Sequence, residues 1–156
     1  TSSPLSLYLI FIFISLITFD MQYFVFLVLF FIFGIILNVC LKRIIKQGRP
    51  SGHGTCGLYD DLYKNYTYGM PSMHSQIWSI FTLFWTIYIL RNVNTSSYKK
   101  TIPIFIFWLL LLVICYQRVN SNCHTLLQVI IGCIIGFISA LVMYKICMCV
   151  LPQSYS

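Results

Sequence analysis

Two histidines, three cations and two helix starts are the residues of this chain that could do chemistry together. In Tyr68-Gly69-Met70-Pro71-Ser72-Met73-His74-Ser75-Gln76 a polar loop becomes an apolar helix. Pro71 ends what precedes it, and Ser72 suits the helix N-cap. The amides that follow have no partner within the helix, so they favour an anion, phosphate above all. His74 falls in that first turn. His124 opens a second apolar run, with Gln128 one turn further on. Lys42, Arg49 and Arg118 stand at the ends of neighbouring runs. Cations and helix N-termini suit the oxygens of a phosphoryl group, whose charge must be neutralised during transfer. Two histidines suit a two-step reaction in which one attacks phosphorus and the other protonates the leaving oxygen. No cluster of Asp or Glu is available to hold a metal, so no metal and no cofactor is expected.

Taken singly, each residue has a plainer reading. Lys42 and Arg49 could be charges at a membrane surface. His74 could make a structural hydrogen bond at a helix start. Arg118 could be a snorkelling flank, and His124 and Gln128 could bond each other. Their order in the chain, and their placement on one side of it, favour the joint reading.

The elements that must position them are membrane helices. Residues counted as hydrophobic make up 59% of the chain and charged ones 8%, against about a quarter charged in a soluble domain. The expected fold is all-α: a polytopic transmembrane bundle of about five spans in one domain over 1–156, near 4–19, 23–41, 74–90, 102–116 and 124–151. No signal peptide is expected, since the first run has no basic leader and no small-residue cleavage site. If the second helix continues to about Gly48, Lys42 and Arg49 share a face. Five spans put the 42–74 loop and the 117–123 turn on one side, so the candidate residues converge at one membrane interface. Gly132, Gly136 and Ala140 form a small-residue face expected to pack against a neighbouring α-helix within the bundle, with a dimer seam as the alternative. The net charge of +7 sits between apolar runs; it implies a bilayer partner and no nucleic acid. Cys56 and Cys123 fall outside the spans on one side, where a disulfide could form in an oxidising compartment. Cys40, Cys115, Cys133, Cys147 and Cys149 lie in or at the ends of apolar runs and read as small buried apolar side chains. Nothing in the sequence sets the oligomeric state.

The spacing Lys42-x6-Arg49-Pro50, the run Pro71-Ser72-Met73-His74, and Gln117-Arg118-x5-His124-x3-Gln128 together resemble the three motifs of the type 2 phosphatidic acid phosphatase superfamily, Lys-x6-Arg-Pro, Pro-Ser-Gly-His and Ser-Arg-x5-His-x3-Asp. The resemblance implies that His124 is the nucleophile that becomes phosphohistidine. It implies that His74 is the acid for the leaving group, and that Lys42, Arg49, Ser72, the Met73 amide and Arg118 hold the phosphate. Met73, Gln117 and Gln128 depart from the pattern. Gln128 is the largest departure: it can orient the imidazole through its carbonyl oxygen but adds no charge.

His124-Thr125-Leu126-Leu127-Gln128-Val129 is similar to the corresponding run of one branch, the dolichyl diphosphate phosphatases, which also carry Gln there. That likeness implies a polyprenyl diphosphate substrate and a lumenal site in the endoplasmic reticulum. The alternatives are a phosphatase of another phospholipid (phosphatidate, lysophospholipid or sphingoid-base phosphate) and an inactive binding or structural relative. Arg91, Lys99, Lys100 and Lys145 on the opposite side fit a cytosolic face. The sequons at Asn65 and Asn94 lie on opposite sides and report that sidedness.

Overall fold

A computed structural model describes residues 21–50 and 68–150, together with Leu9, Ile10 and Phe13. The first expected span, 4–19, lies almost wholly outside them. What is described is all helical, without a strand. Helix α1 (Met21–Phe31) passes through a π-helical turn (Ile32–Ile36) into α2 (Leu37–Ile45), forming one rod. Then come α3 (Met73–Asn92), α4 (Ser97–Asn120) and α5 (Leu126–Val150).

Among the described residues three helices are long and apolar enough to cross a membrane: Phe24–Ile45, Ser97–Asn120 and Leu126–Val150. Their outward faces carry Phe31, Ile36, Phe105, Leu112, Ile134 and Leu141, as lipid contact requires. Helix α3 differs in kind. It buries Ile77, Ile80, Phe81 and Phe84 beside Ser75, Gln76, Ser79 and Thr82. A helix covered on so many sides is the centre of the bundle, and its small polar residues are those that close helix packing favours.

Helix α3 packs most extensively on α5 and next on α4. The α5 contact is made through the small-residue face expected from sequence. A Cβ at Gly132 would stand 2.7 Å from the Ser72 carbonyl oxygen, and one at Gly136 would stand 2.5 Å from that of Gln76. Ala140 is fully buried one turn on. Facing α4, the Thr82 hydroxyl donates to the Phe107 carbonyl at 3.3 Å, and the Trp108 indole donates to Thr86 Oγ1 at 3.2 Å. A cluster of rings from Phe26, Phe81, Phe84, Trp85 and Tyr144 fills the lower core.

The helix ends depart from the sequence expectation in a consistent way. Helix α4 runs from Ser97 to Asn120, beyond the expected 102–116 at both ends, and α3 reaches Asn92. Hydropathy sees only the apolar middle of a helix, whereas its polar ends continue into the interface. Helix α2 goes the other way: it stops at Ile45, where Lys46 turns left-handed (φ 53) and its N–H bonds the Lys42 carbonyl. The helix therefore does not reach Gly48. Lys42 lies in its last turn, and Arg49 comes from the loop beyond.

Candidate active site

The chain alternates direction from helix to helix. The end of α2, the start of α3, the end of α4 and the start of α5 consequently meet at one end of the bundle. Each candidate residue lies there: Lys42 at the end of α2, Arg49 just after it, Ser72, Met73 and His74 at the start of α3, Arg118 in the last turn of α4, and His124 and Gln128 at the start of α5.

Gln128 is fully buried and spends its whole amide. Its Oε1 accepts from the Thr125 backbone N–H at 3.3 Å and lies 3.2 Å from His124 Nδ1. Its Nε2 donates to the Gly48 carbonyl at 2.9 Å and to Gln47 Oε1 at 3.3 Å. Two acceptors at Nε2 fix which end of the amide is which. Oε1 can then only accept, so Nδ1 of His124 carries the proton and Nε2 of His124 keeps its lone pair. Thr125 Oγ1 in turn accepts from the Gln128 N–H at 3.3 Å. Thr125 and Gln128 thus form a reciprocal capping box at the start of α5. The Thr-x-x-Gln spacing before an apolar run was its signal in the sequence, and reading Gln128 only against His124 missed it.

The same amide explains the glycine ahead of it. A Cβ on Gly69 would come within 2.6 Å of Gln128 Oε1. Gly69 N–H also donates to the Gln47 carbonyl at 2.7 Å, and Gly48 pairs with Tyr68 in an isolated antiparallel bridge. The loop carrying Arg49 is thereby tied to the loop carrying Ser72, and both are tied to Gln128. Ser72 N–H donates to the Gln128 carbonyl at 3.2 Å, and His124 N–H donates to that of Arg118 at 3.2 Å.

Ser72 takes the extended N-cap conformation expected of it but makes no side-chain capping bond. Its hydroxyl oxygen instead accepts from Ser75 at 3.1 Å. Met73 and His74 are the first two residues of α3, and both are half-buried. Arg118 is buried, whereas Lys42 and Arg49 are half-buried.

His124 is 3% exposed. Burial pushes its imidazole down to about 3, and the charges of Arg49, Lys42 and Arg118 push the same way against the bond to Gln128. The three cations act on one ring, which is therefore neutral at physiological pH and retains a nucleophilic lone pair. Cys123 beside it is disulfide-bonded. Cys40, Cys115, Cys133, Cys147 and Cys149 are free, and Cys56 lies outside the described residues. Cys40 and Cys149 prove exposed on the outer faces of their helices, not buried. Among the described residues no group of three or more His, Cys, Asp or Glu could hold a metal ion.

The PAP2 superfamily profile matches residues 6–148. The chain belongs to the PAP2 superfamily. Within it, the chain is 34% identical over 114 residues to dolichyldiphosphatase 1 of Dictyostelium discoideum, covering 70% of this chain and 45% of that protein. It is 34% identical over 102 residues to the dolichyldiphosphatase of Saccharomyces cerevisiae, covering 65% and 42%. Lipid phosphate phosphatase epsilon 1, chloroplastic, of Arabidopsis thaliana is 30% identical over 122 residues, covering 76% and 39%. The chain spans less than half the length of these curated relatives. No solved structure matches it. This PAP2 chain thus has phosphatases of lipid phosphates as relatives and an integral membrane architecture of apolar helices.

Proposed function

We propose that the protein is a membrane lipid-diphosphate phosphatase that removes the terminal phosphate of a polyprenyl diphosphate, most simply dolichyl diphosphate, to give dolichyl phosphate and inorganic phosphate. The observation that carries this reading is His124: a buried, neutral imidazole with Nδ1–H held by Gln128 and three cations acting on it.

His124 Nε2 attacks the terminal phosphorus. The bond from that phosphorus to the bridging oxygen breaks, and the lipid monophosphate leaves with a proton from His74. Water then attacks the phosphohistidine with His74 as base, the P–N bond breaks, and phosphate departs. Lys42, Arg49, Arg118, the Ser72 hydroxyl and the Met73 amide hold the phosphoryl oxygens throughout. Their charge replaces what a metal would supply, so the reaction runs without one. The likeness to dolichyldiphosphatases supports the substrate and a site facing the lumen of the endoplasmic reticulum. The likeness to a lipid phosphate phosphatase supports a second reading, in which the same machinery serves a lipid monophosphate.

Phosphate release by the purified chain in detergent separates them, with dolichyl diphosphate, dolichyl monophosphate and phosphatidic acid assayed side by side in the presence of a chelator. Release chiefly from the diphosphate is the expected result. Release chiefly from phosphatidic acid would replace the substrate and keep the mechanism. Absence of release from well-folded protein would replace the enzyme with a binding or structural relative.

A further inference from the structure

The phosphate-holding loop is anchored from below by two buried amides outside the residues assigned above. Asn38 on α2 and Gln76 on α3 are both fully buried. Asn38 Nδ2 donates to Gln76 Oε1 at 2.8 Å and to the Pro71 carbonyl at 3.3 Å. Gln76 Nε2 donates to the Phe33 carbonyl at 2.7 Å. The π-helical turn makes the last contact available. Leu37 N–H, which in an α-helix would bond Phe33, bonds the Ile32 carbonyl instead. One continuous path therefore runs from the π turn through Gln76 and Asn38 to Pro71, the residue before Ser72.

We infer that Asn38 and Gln76 are positioning residues, a clasp that fixes Pro71–Ser72 and the amides opening α3 at the distance the phosphoryl group requires. This rests on the reaction proposed above. Two facts favour positioning over simple adhesion. Burying two primary amides among apolar helices is costly, and apolar side chains of the same shape would join the helices as well. The clasp also ends on a loop carbonyl beside the candidate site, where it complements the ties on the other side: Ser72 N–H to the Gln128 carbonyl and Gly69 N–H to the Gln47 carbonyl. The loop is thus held from α2, from the Arg49 loop and from α5. A displacement near 1 Å costs on the order of 100-fold in rate, so such holding has a large effect on chemistry and a small one on binding.

The test replaces both amides with apolar side chains of like shape, Asn38→Leu with Gln76→Met, in the full chain in detergent. Three quantities are read: kcat and KM for dolichyl diphosphate, the inhibition or binding constant for orthovanadate as a phosphoryl mimic, and the thermal midpoint. The clasp predicts a midpoint within a few degrees of wild type, a kcat lower by about 10-fold or more, a KM changed less than threefold, and vanadate weakened in proportion to kcat. Asn38→Leu alone removes the bond to the Pro71 carbonyl and should match the double in kcat, whereas Gln76→Met alone leaves that bond in place and should lose less. A double variant that keeps kcat and vanadate affinity within twofold overturns the inference, as does a loss that only follows a lowered midpoint. Should the double variant not fold, Gln76→Asn shortens the amide by one methylene and is read by the same measurements. If wild type releases phosphate from no diphosphate, the proposed reaction fails, and vanadate binding by wild type and variant decides the clasp.

Discussion

The position where this chain departs furthest from its superfamily's motif, Gln128, has every donor and acceptor of its side-chain amide engaged. Gln128 orients His124, caps α5 and holds Gly48 and Gln47, using acceptor and donor ends alike. A carboxylate there would keep the acceptor and lose the donor, and its second oxygen would face the Gly48 carbonyl. Asp would also fall one methylene short. Gln128→Glu and Gln128→Asp should therefore each lower kcat, by about 10- to 100-fold; a rise in kcat with Asp would show that the amide is an impairment. The spacing revealed that His124 and Gln128 could meet. The reach to Gly48 was not legible, because the loop contact joins residues about eighty positions apart. The His124 imidazole carries a pH signature as well. Its folded value lies near 3, below the ordinary 6.5. The unfolded chain thus binds the proton that the folded one refuses, and stability should fall as pH drops from about 6.5 toward 3. Denaturation midpoints at neutral and acid pH should show a smaller acid loss for His124→Gln than for wild type.

At the scale of elements, the approach of α3 to α5 sets the site. Gly132 lies against the Ser72 carbonyl and Gly136 against that of Gln76, so the face that packs the helices also spaces Ser72 from Gln128. Gly136→Val should overpack that seam at a cost of roughly 1–3 kcal/mol and reduce phosphate release along with the thermal midpoint. Thr125→Ala removes the hydroxyl half of the capping box and should cost about 1 kcal/mol, with kcat at the assay temperature nearly unchanged, because the bonds that hold the Gln128 side chain, from the Thr125 backbone N–H and to Gly48 and Gln47, all remain. The small-residue spacing made the α5 face legible in sequence. The π turn was not, since one glycine, Gly34, among the apolar residues of Ile32–Ile36 does not by itself specify an i→i+5 register. The end of α2 was misplaced for a similar reason. Pro50 and Gly48 marked a stop, yet Lys46 takes the left-handed turn two residues earlier, where its N–H closes on Lys42.

At the scale of the molecule, the direction in which the helices alternate puts every candidate residue at one end and Arg91, Lys99 and Lys145 at the other. Arg91 there sits over the Tyr144 ring, 5.8 Å from its centroid, and Asn92 donates to the Tyr144 hydroxyl at 3.4 Å. Asn94 lies exposed in the short connection at that end. If the candidate site faces the lumen, expression in microsomes should leave Asn94 without a glycan, and a glycan on Asn94 would invert the orientation. Composition made the membrane class legible from the outset. It did not reveal that α3 is the covered centre, because Ser75, Gln76, Ser79 and Thr82 interrupt its apolar run and keep it out of the three described helices apolar enough to cross a membrane.

The central claim is that His124 carries the phosphoryl group, and a covalent trap tests it most directly. Wild type and His124→Ala are mixed with dolichyl diphosphate radiolabelled in its terminal phosphate, quenched in alkali within the first turnovers, and mapped by peptide. An alkali-stable, acid-labile label is expected on the peptide containing His124, absent from His124→Ala together with phosphate release. Label on another residue, or steady release by His124→Ala, would contradict it.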